Sequence, residues 1–580
     1  MSNAFDKASL VMLPHAYEEG KLYSLKPTDR SGDFTFSRGT DTATRVNEQG
    51  YIEKETVNLI KHSNNFSDVV WNKPSVTFSS GELGYDGTND AWQFIKGSGG
   101  SKGPGQNISL NGVYTISVYV KINPSSGIGL VFGSTSQCVL FNISDANQTI
   151  AGYSTGIISY TQEYVGNDFY RLSATASSTA SEVLIYMASP DGTGFNSTGA
   201  THIIQDFQLN YGLVAQPYLE TTTAPVYGGL TDNMPRLDYT DASCPSLLLE
   251  PERTNIWYHS EYYSSLSNSN GPIFNYNEGI SPEGVQNAVR VSASSLGARI
   301  QPNLTVNGSQ LVWSLYVKHE GEDYNMRLNN YLGGTITYGA EVTVTSTAVT
   351  FNSYASGYDD ADYEVIGDGW FRFWIVITPQ AGGQLFQFRV LEGGSVATSY
   401  LAYGMQVEYG SYPTSYIPTY GSTQTRAADN LAQLDVTNLT STYNTLYAEF
   451  EVSNITNQGK IALSDNSQDN RMTIYQNGSD LMLLLKAGGS SETSITSSSI
   501  LSVGTNYKVV AKNQNGSHAL FINGTKIGEE NSTTPTGLIK LRFGNESDSI
   551  QTQKLLGEVK QTLLFQTALS DDECKALTAL

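Results

Sequence analysis

Polar and apolar residues alternate along this chain at a period of two, not at helical spacing. From Tyr114 to Lys121, Ile116, Val118 and Val120 fall on one face and Thr115, Ser117 and Tyr119 on the other. Leu311 to Lys318 repeats the pattern with Trp313, Leu315 and Val317. β-Branched and aromatic residues at this period predict half-buried strands of a sandwich. Turn-rich spacers such as SSGELGYDG (79–87) and Gly99-Gly100 separate them. Near the C-terminus, Tyr507–Lys512, His518–Ile522 and Thr525–Gly528 are joined by Asn515-Gly516 and Asn523-Gly524. Asn-Gly is a strong hairpin signal because both turn residues need positive φ, so this stretch predicts an up-and-down meander. Ser570-Asp571-Asp572-Glu573 is a capping box that opens one short terminal helix. The first 50 residues show two short candidate strands, Asp33–Ser37 and Thr44–Asn47, and read as an attachment segment.

The pattern is duplicated. Asn58-Leu59-Ile60, His62-Ser63 and Phe66-Ser67 recur as Asn255-Ile256-Trp257, His259-Ser260 and Tyr263-Ser264, at an offset of 197. Gly166, Tyr170 and Arg171 match Gly367, Phe371 and Arg372 at 201, and Gln208, Tyr211-Gly212 and Tyr218 match Gln406, Tyr409-Gly410 and Tyr416 at 198. Anchors in this order predict two homologous sandwiches. The domain boundaries expected are an attachment segment at 1–52, sandwiches at 53–222 and 253–421, linkers at 223–252 and 422–436, and a third all-β unit at 437–580.

Composition narrows the function. Charged residues are 15% of the 580, while Gly (55) and Tyr (36) are abundant, which suits turn-rich sheets over helical repeats. Thirty-three basic against 55 acidic residues give a net charge of −22 with no long basic run, so nucleic acid and anionic membrane are poor partners. The N-terminus lacks the layout of a signal peptide, and no apolar run reaches the roughly 18 residues of a membrane span. Cys138, Cys244 and Cys574 are too few and too widely spaced for a disulfide framework or a cysteine zinc site.

Three motifs carry a family resemblance. Phe36-Ser37-Arg38-Gly39-Thr40-Asp41-Thr42-Ala43-Thr44-Arg45-Val46, running on to Gly50-Tyr51-Ile52-Glu53, resembles the N-terminal signature of tailed-bacteriophage fibre and virion-surface proteins. So does Pro235-Arg236-Leu237-Asp238-Tyr239 with Leu247-Leu248-Leu249-Glu250-Pro251-Glu252-Arg253-Thr254-Asn255. Gln406-Val407-Glu408-Tyr409-Gly410 with Pro413–Thr419 resembles the closing strand of the carbohydrate-binding-module-like jelly rolls in those proteins. The first sandwich closes with a weaker form, Pro217-Tyr218-Leu219-Glu220-Thr221, and Trp71 has no counterpart in the second. Leu520–Thr525 and Leu563–Glu573 resemble laminin-G or concanavalin-A-like lectin domains. The resemblance implies an all-β chain: two tandem jelly rolls, then a concanavalin-A-like sandwich, behind a mostly irregular N-terminal segment. It further implies a virion surface fibre made in the host bacterial cytoplasm. Such a fibre is trimeric, docks to other virion proteins through its N-terminal segment and meets host-surface glycan.

Candidate chemistry is sparse. Adjacent residues on a strand point to opposite faces, so His62-Ser63 and His259-Ser260 read as structure and not as catalytic pairs. Sugars lay apolar faces on aromatic rings while amides and carboxylates satisfy their hydroxyls. On that basis the glycan candidates are Trp71, Trp257, Tyr258, Tyr475 and Asn477, with Tyr85 behind them; Trp92 alternates with Phe94 and reads as core. Asp360, Asp362 and Glu364 alternate as a candidate calcium face, and Asp465 with Asp469 is a second candidate; either would be structural. No cofactor is required, and no paired carboxylates announce glycoside hydrolysis. The leading expectation is a non-enzymatic fibre that adheres to glycan. The alternatives are a purely structural head-fibre or collar component, and a polysaccharide-degrading enzyme or its binding part.

Overall fold

The computed structural model describes residues 2–580 except 99–101, 124–126, 143–149, 155, 189–198, 241–243, 294, 296, 391–398, 491 and 545–554. The Gly99-Gly100 spacer therefore lies outside the described residues. The fold is nearly all β. It forms two compact units: Glu55–Gly229 with Thr254–Gln424, and Met1–Lys54 with Leu230–Arg253 and Thr425–Leu580.

The first of these holds two sandwiches of one topology. One sheet of the earlier sandwich runs Ile157–Gly166, Phe169–Ser178, Gly112–Lys121, Thr201–Tyr211, Ala91–Lys96, Val76–Glu82. Its counterpart in the later sandwich runs Asp360–Gly367, Trp370–Ile377, Leu311–Lys318, Tyr400–Tyr409, Ala288–Ala293, Pro272–Gly279, strand for strand the same order. The facing sheets run Lys102–Asn107, Glu182–Ala188, Gly127–Phe132, Cys138–Asn142, Ile150–Tyr153 and, correspondingly, Asn303–Val306, Gly382–Arg389, Tyr324–Leu332, Thr335–Val344, Val349–Ser353. The SSGELGYDG stretch is only partly a spacer, since its first half continues the Val76–Glu82 strand.

The Gly112–Lys121 and Leu311–Lys318 strands are buried on both faces, not half-buried as expected. The cause is the closing segment, which roofs the outer face with polar bonds. In the earlier sandwich Gln208 Nε2 donates to Gln216 O (2.9 Å) and Thr115 Oγ1 donates to Gly212 O (2.8 Å). In the later one Glu408 accepts Thr414 N (2.8 Å) and Thr414 Oγ1 (2.6 Å), and Arg372 donates to Thr414 O (2.6 Å). The recurring serines lock these roofs. Ser63 Oγ accepts Thr221 N and bonds Tyr218 OH (2.6 Å); Ser260 Oγ accepts Thr419 N and Tyr416 OH (2.6 Å).

The other unit contains a sheet ordered Leu237–Asp238, Ser246–Leu249, Gly557–Phe565, Asn444–Glu451, Asn506–Gln514, Ser517–Ile522, Thr525–Asn531, with Leu10–Met12 also paired to Gly557–Phe565. It faces a sheet ordered Leu434–Asp435, Lys540–Arg542, Gln458–Ser464, Arg471–Asn477, Asp480–Lys486, Thr493–Ser497. The terminal helix Asp571–Thr578 carries its capping box: Glu573 N donates to Ser570 Oγ (3.3 Å) and Ser570 N to Glu573 Oε2 (2.8 Å). One core joins Leu10, Phe34, Phe36, Leu247 and Leu249 to Phe450, Ile461 and Leu564. Residues 1–52, 230–252 and 425–436 thus contribute strands and core to this unit, a grouping the sequence boundaries did not draw. Their strands are two to four residues long, too short to show a period, and two of them, Leu10–Met12 and Ser246–Leu249, pair with Gly557–Phe565 far away in the chain.

The Arg38 motif and the Arg236–Glu250 motif meet in this unit as a buried charge cluster. Arg38 Nη1 lies 3.2 Å from Asp429 Oδ1, Arg236 Nη1 lies 2.5 Å from Glu250 Oε2 and also pairs with Asp429 through Nη2, and Arg426 Nη1 lies 2.9 Å from Glu250 Oε2. Backbone carbonyls of Thr231, Met234, Thr44 and Pro251 accept from the same guanidinium groups. Burial, together with the neighbouring Arg236, pulls Arg38 down to about 10 despite Asp429. Three cations against two carboxylates are made tolerable out of water by those carbonyls, which take up further guanidinium donors.

Candidate functional site

The outer face of the second sandwich's Tyr324–Leu332 sheet is polar where the matching face of the first sandwich is apolar. Its strands alternate over Tyr324–Leu328, Phe386–Val390 and Ala340–Val344. Tyr324, Met326 and Leu328 point into the core, as do Phe386, Phe388 and Val390, and Ala340, Val342 and Val344. The intervening positions therefore line the opposite face. Register sets them in rows. Arg299 stands opposite Arg389, Arg389 opposite Arg327, Arg327 opposite Glu341, and Glu341 opposite Asn352. In the next row Gln387 is opposite Asn329, and Asn329 opposite Gly339. A third row pairs Leu385 with Tyr331.

These side chains are already bonded to one another. Asn329 Nδ2 donates to Gln387 Oε1 (3.4 Å), Gln387 Nε2 to Gln301 Oε1 (3.1 Å), and Arg299 Nε to the same oxygen (2.9 Å). The Arg327 guanidinium lies 3.9 Å from the Tyr354 ring centroid and 3.9 Å from Glu341 Oε1. A turn brings Tyr354 there: its N–H donates to Gly339 O (3.0 Å), while Gly339 N–H donates to Gly357 O (2.9 Å). A side chain at 339 would meet Leu328 O at 2.7 Å and Asn329 Oδ1 at 3.0 Å, so glycine is what makes room for the amide. Asn329, Gln387 and Arg327 are buried as the floor; Arg299, Gln301, Arg389 and Tyr331 are half-buried around them. Among the described residues nothing bonds Asn329 Oδ1. The arrangement offers amide donors and acceptors, guanidinium donors and two tyrosine rings on a fixed sheet, which is the chemistry that saccharide hydroxyls and C–H faces require.

The matching face of the first sandwich is dry. There Val131, Cys138, Leu140, Leu184 and Tyr186 form a separate apolar cluster. A side chain at Gly129 would meet Leu140 at 3.0 Å and Tyr186 at 3.2 Å, so the cluster closes over its own strand. Burial pushes the Cys138 thiol up to about 12, leaving it unreactive.

The residues singled out in the sequence go elsewhere. Trp71 and Trp257 are core residues, 2% and 0% exposed, and present no ring face to a sugar. Trp71 packs on Phe66 and Phe207 and donates to His62 O (3.0 Å); Trp257 packs on Trp313 and donates to His259 O (3.2 Å). Tyr258 is half-buried against His259. Tyr85 stacks on Tyr119 at 3.8 Å and donates to Asp206, whose carboxyl burial raises to about 7. Tyr475 and Asn477 share the outer face of the Arg471–Asn477 strand, Tyr475 half-buried beside Met482 and Asn477 exposed at the hairpin.

Asp360, Asp362 and Glu364 do alternate along the edge strand Asp360–Gly367, but Glu364 is turned to Arg372 (3.6 Å). Asp465 accepts from Ser467 N and Oγ and from Asn470 Nδ2; burial opposes its ionisation, yet these bonds hold its carboxyl below the usual range. Asp469 lies 3.8 Å from Lys486. Among the described residues no three His, Cys, Asp or Glu side chains gather as a metal group. The polar face was missed because it is assembled from strands whose residues lie up to 90 positions apart, Arg299 to Arg389, and no single segment carries a motif. The signal available was the alternation Asn325, Arg327, Asn329 and Leu385, Gln387, Arg389, with amides and arginines where Ser or Thr would serve solvent.

Residues 426–575 match the concanavalin A-like lectin/glucanases superfamily. The lectin-like character read at 437–580 therefore holds for the C-terminal portion. No curated protein matches the chain by sequence. Among solved structures, the chain is similar to the Ruminococcus gnavus IT-sialidase CBM40 bound to α2,3-sialyllactose (16% identity, 24% of this chain and 84% of that chain, TM-score 0.22). It is similar also to domain 4 of the GH43 extracellular arabinanase of Geobacillus stearothermophilus with arabinotriose (14%, 26% and 73%, 0.22). A third is the botulinum neurotoxin type G receptor binding domain (12%, 44% and 50%, 0.20).

Proposed function

We propose that the protein is a non-enzymatic, glycan-binding surface protein of a bacteriophage particle, and that the second sandwich's polar sheet face holds the saccharide. One observation carries the reading. Of two sandwiches with the same topology, one fills this face with an apolar cluster, while the other fills it with interbonded amides and arginines over a glycine-made gap. Folding alone is served by the dry version. Glu341 is the one carboxylate on the described strands of that sheet, so those strands do not carry the pair that glycoside hydrolysis uses. The lectin match at 426–575 supports binding as well. The virion setting, its trimeric assembly and docking to other virion proteins rest on the resemblance of the Arg38, Arg236 and Glu250 segments to fibre proteins. Many copies on one particle would turn weak single-site binding into adhesion.

The test is a bacterial-surface glycan array with the full-length protein, Gln387→Leu and Tyr475→Ala. Binding by the wild type is expected to fall about ten-fold or more in Gln387→Leu, measured on protein shown to be folded by circular dichroism, because an amide contact to the saccharide is lost. Binding that survives Gln387→Leu and disappears in Tyr475→Ala would move the site to the lectin-like unit. No binding by the folded wild type would contradict adhesion.

A further inference from the structure

We propose that the two sandwiches are welded into one rigid body, through a docking surface that the repeat builds only once and that takes only the first sandwich of the chain. The first sandwich supplies a plug. Its Val113 and Leu213 belong to the second sandwich's core cluster, and Ile158 packs against that cluster. The second sandwich supplies the socket, where Tyr258, Tyr262 and Tyr276 pack on the same cluster. Polar bonds fix how the two meet. Asn277, at a φ of 60° in the bulge of the Pro272–Gly279 strand, donates through Nδ2 to Ser159 Oγ (3.0 Å) and to Leu213 O (3.0 Å). Val113 N donates to Tyr420 O (2.8 Å), and the Tyr420 ring stacks on Tyr211 with centroids 5.8 Å apart. Gly112 and Gly421 make the closest approach. A side chain at 421 would meet Gly112 Cα at 2.8 Å and Asn111 O at 3.1 Å, and one at 112 would collide with Tyr420 O.

The duplication shows how specific this surface is. Val113, Leu213 and Ile158 of the plug correspond to Gln310, Ser411 and Asp359 in the second sandwich, at the repeat offsets of 197, 198 and 201. A shared bond fixes the equivalence, Gly212 N to Val113 O (3.1 Å) in one sandwich and Gly410 N to Gln310 O (3.0 Å) in the other. Asp359 and Ser411 are exposed and Gln310 is half-buried. In the reverse direction, Tyr258, Tyr262 and Tyr420 of the socket correspond to Lys61, Asn65 and Thr222 in the first sandwich, and Lys61, Asn65 and Thr222 are exposed. The two glycines obey the same rule, with Ser309 at the counterpart of Gly112 and Thr223 at that of Gly421. Apolar side chains and glycines thus stand only on the ends that face each other, and the free ends are polar, as in the terminal units of a capped repeat array. Domains joined by a loose tether move by default unless a packed apolar interface holds them. Here the second sandwich's own core is completed by residues of the first.

The experiment is a pulsed electron–electron distance measurement on full-length protein, diluted with unlabelled chain so that only distances within one chain are read. Nitroxide labels are attached through Val69→Cys in the first sandwich and Val365→Cys in the second, positions 95% and 66% exposed. The background is Cys244→Ser, because Cys244 is exposed while Cys138 and Cys574 are buried. A single narrow distance distribution is expected. It should broaden about two-fold or more in Gly421→Val, whose side chain forces the two sandwiches apart. Asn277→Ala, which removes both side-chain bonds across the joint, carries the same expectation if Gly421→Val does not fold. A broad or multiple distribution in the unaltered joint would overturn the weld. A distribution that stays as narrow in the folded variants would overturn the assignment of rigidity to this joint.

Discussion

Lys460 is the residue whose burial is hardest to reconcile with its chemistry. It is the extra residue of a bulge between Gly459 and Ile461, and its Nζ lies 5.2 Å from the Phe450 ring centroid. Among the described residues Nζ has no hydrogen-bond partner, and burial pushes the amine down to about 7. An unfolded lysine titrates near 10.4, so between those values the unfolded chain binds the extra proton. Stability of this unit should therefore rise with pH through that window and level off below about pH 7. Denaturant unfolding from pH 7.5 to 9.5 should show a slope of up to about 1.4 kcal/mol per pH unit that is absent in Lys460→Met. Lys460→Met should also be the more stable protein near neutrality. Identical slopes in the two proteins would mean that the amine stays charged. Nothing in the sequence marks Lys460, because a bulge shifts it inward against the alternation of its neighbours.

At the scale of elements, the account turns on strands supplied from a distance. Leu10–Met12 pairs with Thr562–Leu564, and Leu247–Leu249 with Gly557–Val559, beside the buried Arg38, Arg236, Glu250, Arg426 and Asp429. A 437–580 fragment lacks all of these, together with Leu10, Phe34, Phe36 and Leu247 of its core. It should be unfolded or aggregated by circular dichroism and amide-proton NMR, whereas the full chain is folded. A cooperatively melting fragment would show that the distant strands are dispensable. This is also where sequence reading reached its range. Leu311–Lys318, Ser517–Ile522 and the Ser570 capping box were legible because periodicity or turn chemistry is local to them. Short strands such as Leu10–Met12 and Ser246–Leu249 take their identity from partners more than 300 positions away. The aromatic candidates misled for a related reason: Trp71 and Trp257 are the largest apolar side chains available, and burial claims them first. The arginine row needed register, which composition does not contain.

At the scale of the whole molecule, duplication appears to the eye as redundancy, yet the two sandwiches differ where it counts. Their roofs and serine locks are shared, through Ser63 with Tyr218 and Ser260 with Tyr416. Their outer sheet faces are not, one sealed by Leu140 and Tyr186, the other lined by Asn329, Gln387 and Arg389. A duplicated scaffold with one converted face is how a fold gains a site without losing its stability. The central claim is that the converted face is the ligand surface. Hydrogen–deuterium exchange of the full-length protein, with and without the best-bound polysaccharide, tests it most directly. Protection is predicted in peptides spanning Tyr324–Leu332 and Gly382–Arg389, with the Gly127–Phe132 and Glu182–Ala188 strands unchanged. Protection confined to Arg471–Lys486, or equal in both sandwiches, would contradict it.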